Sequence, residues 1–232
     1  KRAVNQKNSE FLRGLLAEQK SLVRHAPGFV ASYVTATTTA GVLIDVYAYD
    51  SGGLNALVSV LNWGLGYVLF LGLMQKGGLT PEGTRTGIGT YFALGIAVSI
   101  LVGLALVAFI FPGLYLLMRW LPAYSRALIS HDGVGNSMRW SWSQTEPWQY
   151  PLSLGMLFPV LCFGIAFVIP VIYSSFVEYV SDTEFALWTI FTNGGMSIGF
   201  AWLTVYSVAA FKLLCEEPSG TDRALHANIE LG

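Results

Sequence analysis

The acidic and basic residues of this chain are unevenly spaced, and the intervals between them outline its elements. Five stretches contain no Asp, Glu, Lys or Arg: 25–44, 51–75, 86–118, 147–177 and 185–211. A charge at the centre of a bilayer is costly, and a crossing helix needs about 20 largely apolar residues. Each interval is therefore long enough to cross once, and the third long enough to cross and begin returning. The pattern predicts six spans, at about 29–49, 54–74, 88–111, 114–130, 152–173 and 195–214.

Local chemistry sets their character. Thr35, Thr37, Thr38 and Thr39 lie within the first span, and threonine hydroxyls that bond their own helix mark a face turned to protein rather than lipid. Gly64, Gly66 and Gly72 permit close helix approach in the second, which Lys76 closes. The third carries Gly95, Ser99 and Gly103 at intervals of four, a spacing that lets two membrane helices meet at backbone distance, and Gly195 and Gly199 repeat it in the last span. Pro112 and Gly113 stop the third apolar run and predict a tight hairpin, with 114–130 returning as span four although it contains Arg119 and Arg126. A single long, kinked helix with an exposed tail is the alternative. Pro159 and Pro170 bend span five, and an interfacial stretch, 185–193, ends at Asn193-Gly194-Gly195 before span six.

Three polar segments flank the membrane domain, which covers 27–215. In 1–26, Phe11, Leu12, Leu15, Leu16, Leu22 and Val23 recur at helical spacing against Lys7, Glu10, Arg13, Gln19 and Lys20, predicting an amphipathic helix. It either lies on the membrane surface or docks on a partner. Between spans four and five, a short helix begins with Asn136 as N-cap and ends by Glu146, ahead of Pro147. Trp140, Trp142 and Trp148 make it either a wedge at headgroup level or an aromatic ligand-binding face. The third segment, 216–232, is a polar tail.

Basic residues orient the model. Lys1, Arg2, Lys7, Arg13, Lys20 and Arg24, then Lys76 and Arg85, then Arg126 and Arg139, and finally Lys212 and Arg223 fall on one side. The opposite loops hold Glu178, Asp182 and Glu184 and no Lys or Arg. Both termini are predicted cytoplasmic.

Composition agrees with this picture. The 232 residues are 53% hydrophobic and 12% charged, with a mean hydropathy of +0.54, where soluble domains carry roughly 25% charged residues. A net charge of -1 offers no surface for nucleic acid. Cys162 and Cys215 read as free thiols. The segment from Lys1 to Arg24 is too polar for a signal-peptide core, so insertion is expected to rely on the internal spans. Six spans leave no room in these residues for a separate soluble catalytic domain, and His25, His131 and His226 are scattered over three polar segments. No catalytic, cofactor-binding or metal-binding residues are expected.

Two charges fall inside spans. Asp45 lies about 6 Å, and Arg119 about 9 Å, from the same side at 1.5 Å per residue, so the two are expected to pair across the bundle. Arg119 has two rival roles, binding an anionic headgroup or solute, or snorkelling to the outer headgroups.

The stretch from Phe111 through Pro112-Gly113 to Trp120, followed by Met138-Arg139-x-Ser141-Trp142-x-x-Thr145 and Trp148, resembles the bacterial membrane-domain superfamily attached to glycerophosphoryl diester phosphodiesterases. In that family a Pro-Gly turn leads an apolar helix, and an Arg-x-Ser-Trp-x-x-Thr helix precedes the next span. Here Glu146-Pro147 replaces the basic-glycine pair that usually follows the threonine, and Trp140 stands at the second basic position. The family's phosphodiesterase activity belongs to a separate barrel domain, so the resemblance implies a six-helix architecture in a bacterial inner membrane and no activity.

The sequence thus predicts an all-α integral membrane protein, a six-helix bundle with an N-terminal amphipathic helix. Its expected role is that of a non-enzymatic accessory or scaffold subunit of a larger membrane assembly. The alternative is lipid or amphiphile binding or transport within the bundle. Membrane lipids and other membrane proteins are the expected partners, and no cofactor is implied.

Overall fold

The structure, a computed structural model, describes residues 2–48, 50–80, 87–130, 133–177 and 181–216. Arg85, His131, Glu178 and most of the predicted polar tail, 217–232, lie outside the described residues. Among those described, all regular structure is helical: α1 (Arg2–His25), α2 (Pro27–Tyr47), α3 (Gly52–Lys76), α4 (Ile88–Ala108), α5 (Ile110–Ile129), α6 (Val134–Thr145), a 3-10 turn (Glu146–Trp148), α7 (Gln149–Gly155), α8 (Leu157–Phe176) and α9 (Asp182–Glu216). Five of them, α2, α3, α4, α8 and α9, are long and apolar enough to cross a membrane, as suits a multi-pass membrane protein. α5 is not among the five, because Arg119, Pro122 and Arg126 dilute its apolar run.

Contacts between neighbouring helices give their directions. The start of α2 meets the end of α3, where a Cβ on Gly72 would lie 2.7 Å from the Phe29 ring. The start of α4 meets the end of α5 at Gly87, where a φ of +68° and the 3.0 Å that would separate a Cβ from the Ala127 carbonyl oxygen both favour glycine. α7 and α8 run antiparallel to α9, with the Tyr206 hydroxyl donating to the Leu152 carbonyl at 3.2 Å and Tyr173 donating to Glu184 at 2.9 Å near the other end. Neighbouring long helices therefore alternate between two ends. One end gathers α1, α6, α7, Lys76, Arg126 and Lys212, and the other gathers Asp50, the Phe109 turn, Asp182 and Glu184.

Burial is concentrated at the first of these ends. Leu15, Leu73, Met74, Leu152, Val205, Tyr206, Val208 and Ala209 are all 0% exposed there. The amphipathic face of α1 packs against α9 and α7 of its own chain, with Phe11 stacked on Trp148 at 4.2 Å. Gln19, counted with the polar face by its spacing, is buried and accepts from the Trp202 indole at 2.9 Å. Towards the other end the helices expose Leu57, Val60, Ile100, Leu104, Val107, Phe167 and Ile172, the surface expected against lipid.

Several boundaries differ from the sequence expectation. The hairpin turns at Phe109, with φ -159° and ψ 132°, and Pro112 and Gly113 sit in the first turn of α5. Proline is tolerated there because the first-turn N–H groups have no helical acceptor, and Gly113 lets the Leu106 side chain lie against it. The predicted fifth span, 152–173, is divided at Met156 between α7 and α8, as Leu152 and Gly155 are drawn into the core against Leu15 and Tyr206. Asn193-Gly194-Gly195 is no break: α9 continues through it, so the interfacial stretch 185–193 and span 195–214 are one helix. α6 begins after Gly133 rather than at Asn136.

The glycines of the two small-residue ladders behave differently. A Cβ on Gly195 would lie 2.6 Å from the Ala166 Cβ, and one on Gly199 2.8 Å from the Phe163 ring, whereas one on Gly103 would meet nothing within 4 Å. Gly195→Ala is therefore expected to cost about 1–3 kcal/mol through overpacking. Gly103→Ala should be neutral or stabilise by up to about 1 kcal/mol through helix propensity. Thermal unfolding of both variants in mild detergent checks this, and the opposite order would contradict the α8–α9 packing.

Candidate functional site

Arg119 is the most unusual side chain in the bundle, a cation 1% exposed. α5 presents it to α6, which folds back along α5. Its Nη2 donates to the Trp142 carbonyl, its guanidinium lies 4.1 Å from the centre of the Trp142 ring, and its Nη1 is 3.4 Å from the Tyr115 hydroxyl. Ser141 closes the same junction by donating to the Arg119 carbonyl at 2.6 Å, and Thr145 donates to the Ser141 carbonyl at 2.7 Å. A cation near the last turn of α6 is favoured by the helix dipole, and a desolvated cation over an indole gains about 2 kcal/mol or more. Ser141, Trp142 and Thr145 thus fasten α6 to α5, while Arg139 is exposed. Trp140 faces the core, 5.3 Å from the Phe211 ring, with the Arg126 guanidinium 5.4 Å from its own.

Asp45 takes a different partner. The Asn193 Nδ2 donates to its Oδ2 at 2.8 Å and also to the Thr189 carbonyl at 3.0 Å. Asn193 reaches Asp45 across Gly41, where any side chain would collide with its amide. One stretch further along, Thr37 donates to Ser197 at 2.8 Å. These residues form a polar seam between α2 and α9. The expected Asp45–Arg119 pair is not formed, because α2 packs mainly on α9 and α3 whereas Arg119 is turned into the α5–α6 junction.

A cavity lies elsewhere, between α2, α3, α4, α5, α8 and α9. It encloses about 600 Å³, within the range of ordinary ligand pockets. Gly95, Ser99 and Gly103 form part of its wall, so the α4 ladder faces this space rather than a neighbouring helix. One end is an aromatic floor: Tyr91 stands edge-on to Tyr67 at 5.5 Å and to Tyr124 at 5.5 Å. The Tyr91 hydroxyl would be 3.2 Å from a Cβ on Gly66, and that of Tyr124 3.9 Å from one on Gly95, which puts both hydroxyls at the cavity wall. Tyr33 and Asn62 also line it, and the Asn62 Oδ1 is buried without a partner among the described residues. Leu106, Leu114 and Phe167 line the opposite end, and Trp63, Phe167 and Phe200 are exposed at its margins, leaving the cavity open sideways. From Tyr91 to Leu106 it follows α4 for about 22 Å at 1.5 Å per residue.

The tyrosines and Asn62 were not singled out by sequence reasoning. The signal was a polar residue in each apolar run, Asn62 in α3 and Tyr91 in α4, but nothing in a linear pattern places those faces together. No protein-family model matches this chain, and comparison with curated proteins and with solved structures also finds no match.

Replacing Trp142 tests the α5–α6 junction. Trp142→Leu should destabilise the protein by about 2 kcal/mol, since the buried guanidinium loses its π face, and Trp142→Phe by less than half of that. Equal losses in thermal unfolding would mean that the ring contributes bulk alone.

Proposed function

We propose that this chain is a six-pass protein of a bacterial inner membrane that holds a lipid or other amphiphile inside its helix bundle, acting by binding rather than by catalysis. The observation that carries the reading is the cleft: largely apolar, polar at one end, and open sideways where the surrounding helices expose apolar side chains. An amphiphile already dissolved in the bilayer enters such a cleft without passing through water.

The sixth pass in this reading is α5. Its 20 residues span about 30 Å, the thickness of the hydrocarbon core. Arg119 is covered by α6, so a lipid-facing charge does not oppose the crossing. The orientation rests on the basic residues gathered around α1, α6 and the end of α9, which favour that end, and both termini, on the cytoplasmic side. The likeness of 111–148 to the membrane domains attached to glycerophosphoryl diester phosphodiesterases agrees with a setting in lipid metabolism. A second reading, an accessory subunit, is favoured by one observation: Gly95, Ser99 and Gly103 form a small-residue stripe against which no described helix packs at backbone distance.

Purification in mild detergent followed by mass spectrometry of what is retained separates these readings. A lipid bound near one equivalent is expected, and its loss in Gly103→Phe, which fills the cleft, would tie it to this cavity. A stoichiometric membrane-protein partner with no retained lipid would favour the accessory role and overturn the amphiphile reading. Reporter tags at both termini should read cytoplasmic, and an external terminus would remove the six-pass orientation.

A further inference from the structure

We infer, resting on the amphiphile reading, that the occupant is an uncharged lipid with a hydroxyl head, bound with that head on the tyrosine floor and its chain running towards the Phe109 turn. The first ground is charge. Among the described lining residues there is no Asp, Glu, Lys, Arg or His; Arg119, the buried cation nearest in sequence to that wall, is not part of the lining and turns its Nη groups to Trp142 and Tyr115. A phosphate or carboxylate drawn into the floor would lose its hydration without gaining a counter-ion, a cost of several kcal/mol. Phospholipid headgroups and ionised fatty acids are disfavoured on this ground.

The second ground is hydrogen bonding. The buried Asn62 Oδ1 has no donor, and leaving a buried acceptor unmet costs about 1–3 kcal/mol. A hydroxyl supplies that donor and accepts in return from the phenol of Tyr91, which lies against the Gly66 wall of the same cavity. An alkane offers no donor, and a ketone or ester head offers only acceptors. The third ground is polarity along the axis. Tyr33, Tyr91 and Tyr124 gather at one end, Asn62 lies one turn along α3 from the Gly66 wall, Ser99 stands midway along α4, and Leu106, Leu114 and Phe167 occupy the other end. The length of about 22 Å along α4 exceeds half of a hydrocarbon core of about 30 Å, which suits one extended chain.

The test uses two photoactivatable probes of equal chain length in liposomes holding the intact protein, a long-chain primary alcohol and its phosphate monoester, with labelled peptides mapped by mass spectrometry. The alcohol is expected to label the cavity wall of α4 or α9, at least fivefold more than the monoester. Asn62→Leu and Tyr91→Phe should each lower alcohol labelling about fivefold, the equivalent of one hydrogen bond of about 1 kcal/mol. Thermal unfolding of both variants establishes that they fold, and Gly89→Ala, outside the cleft, serves as the unaffected control. Equal labelling by the two probes, or labelling indifferent to Asn62 and Tyr91 in folded variants, overturns the hydroxyl-head assignment and leaves the amphiphile reading standing. Absence of cavity labelling by either probe overturns both.

Discussion

A helix that runs unbroken through Asn193-Gly194-Gly195 must recover what two adjacent glycines cost, about 1 kcal/mol each relative to alanine. It does so through contacts that larger residues would forbid. Gly195 brings α9 against the Ala166 Cβ of α8, Gly199 receives the Phe163 ring, and Asn193 lies over Gly41 of α2 to bond Asp45. The same helix continues for nearly three more turns past Tyr206 and buries that second half against α1, α5, α6 and α7. Because α9 stays continuous, one uninterrupted helix joins the apolar end of the molecule to the densely packed end.

The two ends obey different solvents. Around α1 and α7 the packing is that of a water-soluble core, with large side chains fully enclosed and polar contacts between elements, as where the Trp202 indole donates to the Gln19 Oε1 and Lys212 pairs with Glu18. Towards the Phe109 turn, side chains that would be buried in a soluble protein are left outside, which is favourable only where the surroundings are themselves apolar. α5 belongs to both regions. It places Arg119 and Ser125 where protein covers them and leaves Arg126 half-buried, so its low average hydropathy reflects neighbours as much as water.

That distinction explains what a linear reading could and could not see. Charge-free intervals mark the apolar helices well, because exclusion of charge from a bilayer acts on each segment separately; α3 at Gly52–Lys76 and α4 from Ile88 are close to expectation. Turns were less legible. Pro112-Gly113 looks like a hairpin in isolation, but proline in a first turn costs nothing and the reversal falls at Phe109. The Asp45–Arg119 pairing came from matched depth along two helices, a criterion that ignores azimuth, and the two side chains lie on faces that take separate partners. The Trp helix was visible as an element, yet its attachment through Ser141 and Trp142 depends on α5 lying beneath it.

The cavity follows from how α5 is anchored. Its second half is tied to α6 through Arg119 and Ser141, and to α9 through the Ser207 hydroxyl, which donates to the Leu121 carbonyl. Its first half is tied to α4 by the hairpin, where Gly113 accepts Leu106, and reaches α6 through the Tyr115 ring, edge-on to Trp142 at 6.0 Å. α4 therefore travels with α5, and the small residues Gly95, Ser99 and Gly103 that would let it close against another helix are held away from α3 and α9. The aromatic cluster of Tyr67, Phe70, Tyr91 and Tyr124 fills the gap where the helices converge and acts as a wedge. Beyond it α4 offers the small Gly95, Ser99 and Gly103 to the space, so the cleft stays open as a consequence of the same junction that buries Arg119.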